Sequence, residues 1–114
     1  MTAVIKPRRL DDVVILDISG RITLGEGTVT LRGVIDKLLD AGDRKIVMNL
    51  EDVDYIDSAG LGELVRAFTV VRAQKGDLKL LKLTHRIHDL LQITKLLTVF
   101  DSFESEAQAI KSLR

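Results

Sequence analysis

Residues 46–62 read Ile46-Val47-Met48-Asn49-Leu50-Glu51-Asp52-Val53-Asp54-Tyr55-Ile56-Asp57-Ser58-Ala59-Gly60-Leu61-Gly62, and the change of character along this stretch decides the fold. The opening run, Ile46-Val47-Met48 with Leu50, reads as a short strand buried on both faces, the kind found in a sheet covered by helices. From Ser58 the period becomes helical. Leu61, Leu64, Val65, Phe68 and Val71 form an apolar stripe, Glu63 and Arg66 can pair outside it, and Gly76 is the expected stop. Between strand and helix lies an acidic cluster of Glu51, Asp52, Asp54 and Asp57.

Towards the amino terminus, Val4 to Leu10, a turn at Asp11-Asp12 and the run from Val13 to Ile18 predict a hairpin. Pro7 lies inside its first strand and cannot donate to a ladder, which assigns that strand to a sheet edge. An irregular loop with Gly25 and Gly27 follows. Leu31, Val34, Ile35, Leu38 and Leu39 then mark an amphipathic helix, with Gly42 as its left-handed stop. Towards the carboxyl terminus, Leu78 to Leu83 predicts a strand and Ile87, Leu90 and Leu91 a short helix. Leu97 to Phe100 predicts a last short strand, and Glu104 to Leu113 a terminal helix capped by Asp101 or Ser102. The sum is an α/β domain: an opening antiparallel hairpin, further strands largely parallel, and about four helices packed on the sheet.

The 114 residues suit one domain, 1–114, and the 46% apolar and 30% charged composition is that of a folded globular chain. No apolar run reaches the roughly 20 residues that span a bilayer, and no basic-then-apolar leader opens the sequence, so a cytoplasmic location is expected. There is no cysteine, hence neither a disulfide framework nor a thiolate metal site. Seventeen basic and seventeen acidic residues cancel, leaving no global field to draw the molecule to nucleic acid. Lys6, Arg8 and Arg9 lack interleaved aromatics and read as a solvated face. His85 and His88 share a helix, but with no third ligand evident and Asp89 expected to point elsewhere they make no metal site. No hydrolase-type motif surrounds Ser58, so neither catalysis nor a cofactor is expected.

The informative residues are Asp57-Ser58-Ala59-Gly60-Leu61-Gly62. A helix interior glycine costs about 1 kcal/mol relative to alanine, so two of them near the start of a helix call for another reason, and close approach by a partner supplies one. The helix amino terminus carries a partial positive charge, a favourable setting for a phosphate on Ser58. Asp57 and Ser58 are also ordinary capping residues, and capping does not compete with modification.

At these residues the chain resembles the STAS domain family, in its anti-sigma-factor antagonist branch. The resemblance rests on the motif at 57–62, on the strand Ile46 to Leu50 leading into it, and on the order of elements, and it extends over nearly the whole chain. It implies that Ser58 is phosphorylated by a partner anti-sigma factor that is itself a serine kinase, and that a serine phosphatase reverses this. Asp57 matches the family acid beside that serine. Ala59 stands where the family often has a second hydroxyl, which leaves Ser58 alone in the motif. On this reading Asp54, Asp57, Ser58, Ala59, Gly60, Leu61, Gly62 and Glu63 meet the partner, together with Gly25 and Glu26 of the loop. Gly25-Glu26-Gly27 and Glu63 depart from the sporulation regulator's pattern and bear on which partner is cognate; a homodimer is left open.

Two rivals belong to other classes. A receiver domain would accept phosphate on Asp54 or Asp57, but it should place an acidic pair after its first strand and a lysine after its last, whereas here Asp11-Asp12 precede the apolar run and Phe100 is followed by Asp101-Ser102. An accessory STAS subunit of a transporter ATPase would share the fold and act without phosphorylation.

Overall fold

The structure, a computed structural model, describes residues 3–114. It holds the elements β1 (Val4–Leu10), β2 (Val13–Ile22), α1 (Glu26–Asp40), β3 (Lys45–Ile56), α2 (Ser58–Ala73), β4 (Asp77–Leu81), α3 (His85–Ile93), β5 (Ser102–Phe103) and α4 (Glu106–Ser112). The strands form one sheet in the order β1-β2-β3-β4-β5, with β1 antiparallel to β2 and every other pair parallel. The expected mixed sheet and four helices are therefore present, and Pro7 sits on an edge strand, opposite Leu16.

Alternation along the strands divides the core in two. Val14, Leu16, Ile46, Met48, Leu78 and Leu80 join the buried stripes of α1, α2 and α3 in the main cluster. The residues between them, Val13, Ile15, Val47 and Leu81, face α4 and pack on Ala109 and Leu113. Ile46, Val47, Met48 and Leu50 are all fully buried, which explains the run without polar alternation.

Several boundaries correct the sequence reading. β3 does not stop near Leu50 but continues through the acidic cluster to Ile56, because its ladder with β2 resumes at Asp52 after a register shift and runs on to Ile22↔Ile56. Of the two glycines expected in the loop, Gly25 lies in a turn and Gly27 already belongs to α1. Gly25, with φ +98°, is the residue before α1, and Gly27 is buried in its first turn, where a Cβ would strike the Arg21 carbonyl oxygen. Gly42 does take the left-handed conformation after α1. After α2 that role falls to Lys75, φ +66°, while Gly76 is required because a Cβ there would meet the Arg44 carbonyl oxygen.

Leu97 to Phe100 is not a strand. Leu96, Leu97 and Phe100 turn inward onto the main core, Phe100 edge-on to Phe68 at 5.2 Å between ring centroids. The edge ladder is made instead by the residues that follow, through Leu80 N–H to the Asp101 carbonyl and Lys82 N–H to the Phe103 carbonyl. The terminal helix is accordingly shorter than expected, and Ser105 caps it by accepting from the Gln108 N–H. Asp89 does not point away from the histidines: it lies 3.3 Å from His85 Nε2 and 3.7 Å from His88 Nδ1. Among the described residues no group of His, Asp and Glu is disposed to hold a metal, and no helix is long and apolar enough to cross a membrane.

Candidate partner-binding site

β2 and β3 end side by side, and the chain leaves β3 directly into α2. Asp57 is the hinge. Its backbone is extended, and its carboxylate caps α2 by accepting from the Gly60 N–H at 2.8 Å. The other carboxylate oxygen accepts from the Leu24 N–H at 3.0 Å, so one side chain ties the start of α2 to the β2–α1 connection. These two N–H donors hold the Asp57 carboxyl below the ordinary aspartate range.

Gly60 makes the same junction possible from the inside. A Cβ at this position would run into the Ile22 carbonyl oxygen, so only glycine lets α2 seat against the end of β2. The close approach expected of a partner is, at Gly60, made by the protein's own backbone. Gly62, one turn on from Ser58, has open space where its Cβ would be and is exposed.

Ser58 is the first residue of α2 and is exposed, and its hydroxyl takes no protein hydrogen bond among the described residues. Asp54, Gly25 and Glu26 are exposed as well, and Asp57 and Ala59 are partly so. Three of the residues expected to meet a partner are interior. Gly60 is buried at the junction just described. Leu61 packs in the main core. Glu63, with a side chain 4% exposed, lies between α1 and α2, where its carboxylate takes Arg32 at 3.0 Å and Arg66 at 3.2 Å. Arg66 reaches on to Asp36 at 2.9 Å, so the network clips the two helices together. The pairing of Glu63 with Arg66 was legible in the sequence, but its burial was not, because Arg32 comes from 31 residues away.

Sequence reasoning passed over two residues beside this site. Leu24 is 78% exposed and Val29 69% exposed. Both are apolar, and Val29 falls outside the α1 stripe of Leu31, Ile35, Leu38 and Leu39, which was the signal available for it. Leu24 is held outward on a backbone fixed by Asp57.

The arrangement offers a hydroxyl at a rigid helix start, with exposed carboxylates and apolar side chains around it. The two histidines, His85 and His88, lie on α3 and contact Asp89.

Residues 5–109 match the STAS domain family. The anti-sigma-B factor antagonist of Bacillus subtilis is 35% identical over 86 residues, which are 75% of this chain and 77% of that protein. The crystal structure of tm1081 from Thermotoga maritima superposes with a TM-score of 0.89 at 25% identity, covering 96% of this chain and 94% of the other. The phosphorylated form of the Bacillus cell fate determinant SpoIIAA superposes at 0.75 over 97% of this chain and all of that one; at 19% identity that likeness concerns the fold alone. With the family match spanning nearly its whole length and the sheet order of its own strands in agreement, the chain belongs to the STAS domain family, and anti-sigma factor antagonists are its homologues over most of that length.

Proposed function

We propose that this chain is a cytoplasmic anti-sigma factor antagonist that works by binding rather than by catalysis. Its unmodified form binds an anti-sigma factor with serine kinase activity and so frees a sigma factor; phosphorylation of Ser58 ends the binding, and a serine phosphatase restores it. The observation that carries this reading is the exposed, unbonded Ser58 hydroxyl at the first residue of a helix whose start is fixed by Asp57. The homology to an anti-sigma-B factor antagonist supports the partner class.

The physical switch is electrostatic. A phosphoserine adds about −1.5 to −2 charges. The Asp57 carboxylate already occupies the Gly60 N–H, so the new oxygens cannot take that donor without displacing it. They add instead to the charge of Asp54, Asp57 and Glu26 on the same surface. An interface packed closely here would have to bury the added charge unpaired, which at about 3 to 5 kcal/mol lowers affinity by at least about a hundredfold.

The test is mass spectrometry of the full chain after incubation with ATP and the anti-sigma kinases of its own genome, followed by binding measurements. Modification is expected at Ser58 alone, with Ser58→Ala binding constitutively and Ser58→Asp poorly. Equal affinity of the two variants for the kinase would remove the switch.

A further inference from the structure

A second surface lies at the same carboxyl end of β3, and it makes no use of Ser58. Between the end of β3 and α3 is a groove of about 610 Å³ with a mostly apolar wall, formed by Tyr55, Ile56, Leu90 and Ile93 and rimmed by His85, Arg86 and Asp89. α3 explains why it is open. Ile87 and Leu91 commit one face of this helix to the core. Arg86, Leu90 and Ile93, at helical spacing, form a second stripe: Leu90 is half-buried against the core, while Arg86 and Ile93 stay exposed. Ile93 at its end is 79% exposed, and the Tyr55 ring opposite is also solvent-exposed. An exposed isoleucine on an ordered helix, facing an exposed tyrosine across a groove, is the pattern of an interaction site rather than of scattered surface apolar residues.

The charges select the occupant. The Arg21 and Arg86 guanidinium groups lie 5.4 and 6.0 Å from the centroid of the Tyr55 ring. Arg21 comes from β2, as the register partner of Tyr55, and Arg86 from the first turn of α3. Neither enters an ion pair among the described residues, whereas Asp89, the carboxylate on the rim, is shared by His85 and His88. Two guanidinium groups resting over one aromatic ring give up little by turning to a carboxylate, because a cation–π contact at an exposed site is weak. We infer that this groove docks a segment of a partner protein in which an aliphatic anchor, seated on Leu90 and Ile93, is flanked by carboxylates that take Arg21 and Arg86.

The test uses the full chain, isotopically labelled, and three blocked peptides: two central leucines between paired glutamates, the same peptide with lysines for the glutamates, and the same with serines for the leucines. The acidic leucine peptide is expected to give saturable amide shifts at Tyr55, Arg86, Leu90 and Ile93, with affinity falling as salt rises. Arg86→Glu should weaken it about tenfold and Ile93→Ser about fivefold. Both positions are exposed enough that the variants keep the wild-type amide spectrum elsewhere. Absence of a saturable shift, equal binding of the lysine peptide, or full affinity in both variants overturns the proposal. So does concentration-dependent self-association of the unliganded protein that Arg86→Glu abolishes, since the groove would then belong to a second copy. Ser58→Ala and Ser58→Asp should bind the acidic peptide alike, which keeps this result separate from the fate of the phosphorylation switch.

Discussion

The first turns of α2 have two sides, and two glycines two residues apart show how differently they are constrained. On the inner side, Gly60 has no room for a Cβ beneath the Ile22 carbonyl, Asp57 spends both oxygens on backbone N–H groups, and Glu63 is buried between two arginines. On the outer side, Ser58 and Gly62 are exposed, and nothing in the chain dictates either residue. The inner side is determined by the fold. The outer side is free to be chosen for something outside the chain, and a rigid inner side is what makes an exposed hydroxyl a well-defined target.

Substitution at Gly60 should separate the two sides most sharply. Gly60→Ala forces a methyl group into a backbone carbonyl, so a loss of about 3 kcal/mol or more is expected in urea unfolding, or no folded protein at all. If Gly60→Ala proved as stable as wild type, the junction would be far more pliable than its geometry implies. Removing the buried carboxylate with Glu63→Ala leaves Arg66 facing an emptied site, but Arg66 and Arg32 can recover water, their side chains being 29% and 57% exposed. The loss should be about 2 kcal/mol, below that of a fully enclosed pair.

Gly62→Ala should move the other way. With space above it and a helical neighbourhood, alanine should stabilise the free protein by about 0.5 to 1 kcal/mol. The same variant should bind the proposed kinase partner less well if that partner packs against the bare backbone. A stabilised variant with unchanged binding would detach Gly62 from the interface.

The smallest effect lies in the acid limb of the stability curve. The Asp57 carboxyl is held below its ordinary value of 3.8, so its ionised form favours the folded state. That contribution is present above the ordinary value and is lost as pH falls through the depressed one. Asparagine still caps a helix but has no proton to gain. Asp57→Asn should therefore melt somewhat earlier than wild type at pH 7, with the gap closing as the pH is lowered below about 3.8. A gap independent of pH would assign the effect to capping geometry alone.

What the sequence disclosed follows the strength of each local signal. The hairpin was plain because Asp11-Asp12 separates Val4–Leu10 from the apolar run that starts at Val13, and Asp11 does adopt a left-handed turn, φ +57°. The main helices were plain because their stripes are long. The carboxyl half of β3 was hidden because its exposed acids break the apolar run, and only pairing with β2 keeps it extended. The last strand was misplaced for the opposite reason: Leu97 and Phe100 are apolar because they fill the core, while the backbone that pairs belongs to residues 101–103 after them. At the site, the small residues were read as marking close approach by a partner, whereas Gly60 is approached by the protein's own Ile22 backbone and Gly62 stands in open space. Which backbone approaches at Gly60 depends on Ile22, a contact between positions far apart in the chain that no local pattern encodes.

The two borders of the sheet narrow the ways in which this protein can be recognised. On one side Pro7 interrupts the outer row of donors, with Lys6, Arg8 and Arg9 around it; on the other, β5 offers only two residues. Neither border is a good template for an incoming strand. Strand addition and edge-to-edge stacking are thereby discouraged, and a partner is directed to read side chains and helix ends instead, where a single added group on one hydroxyl can change the outcome.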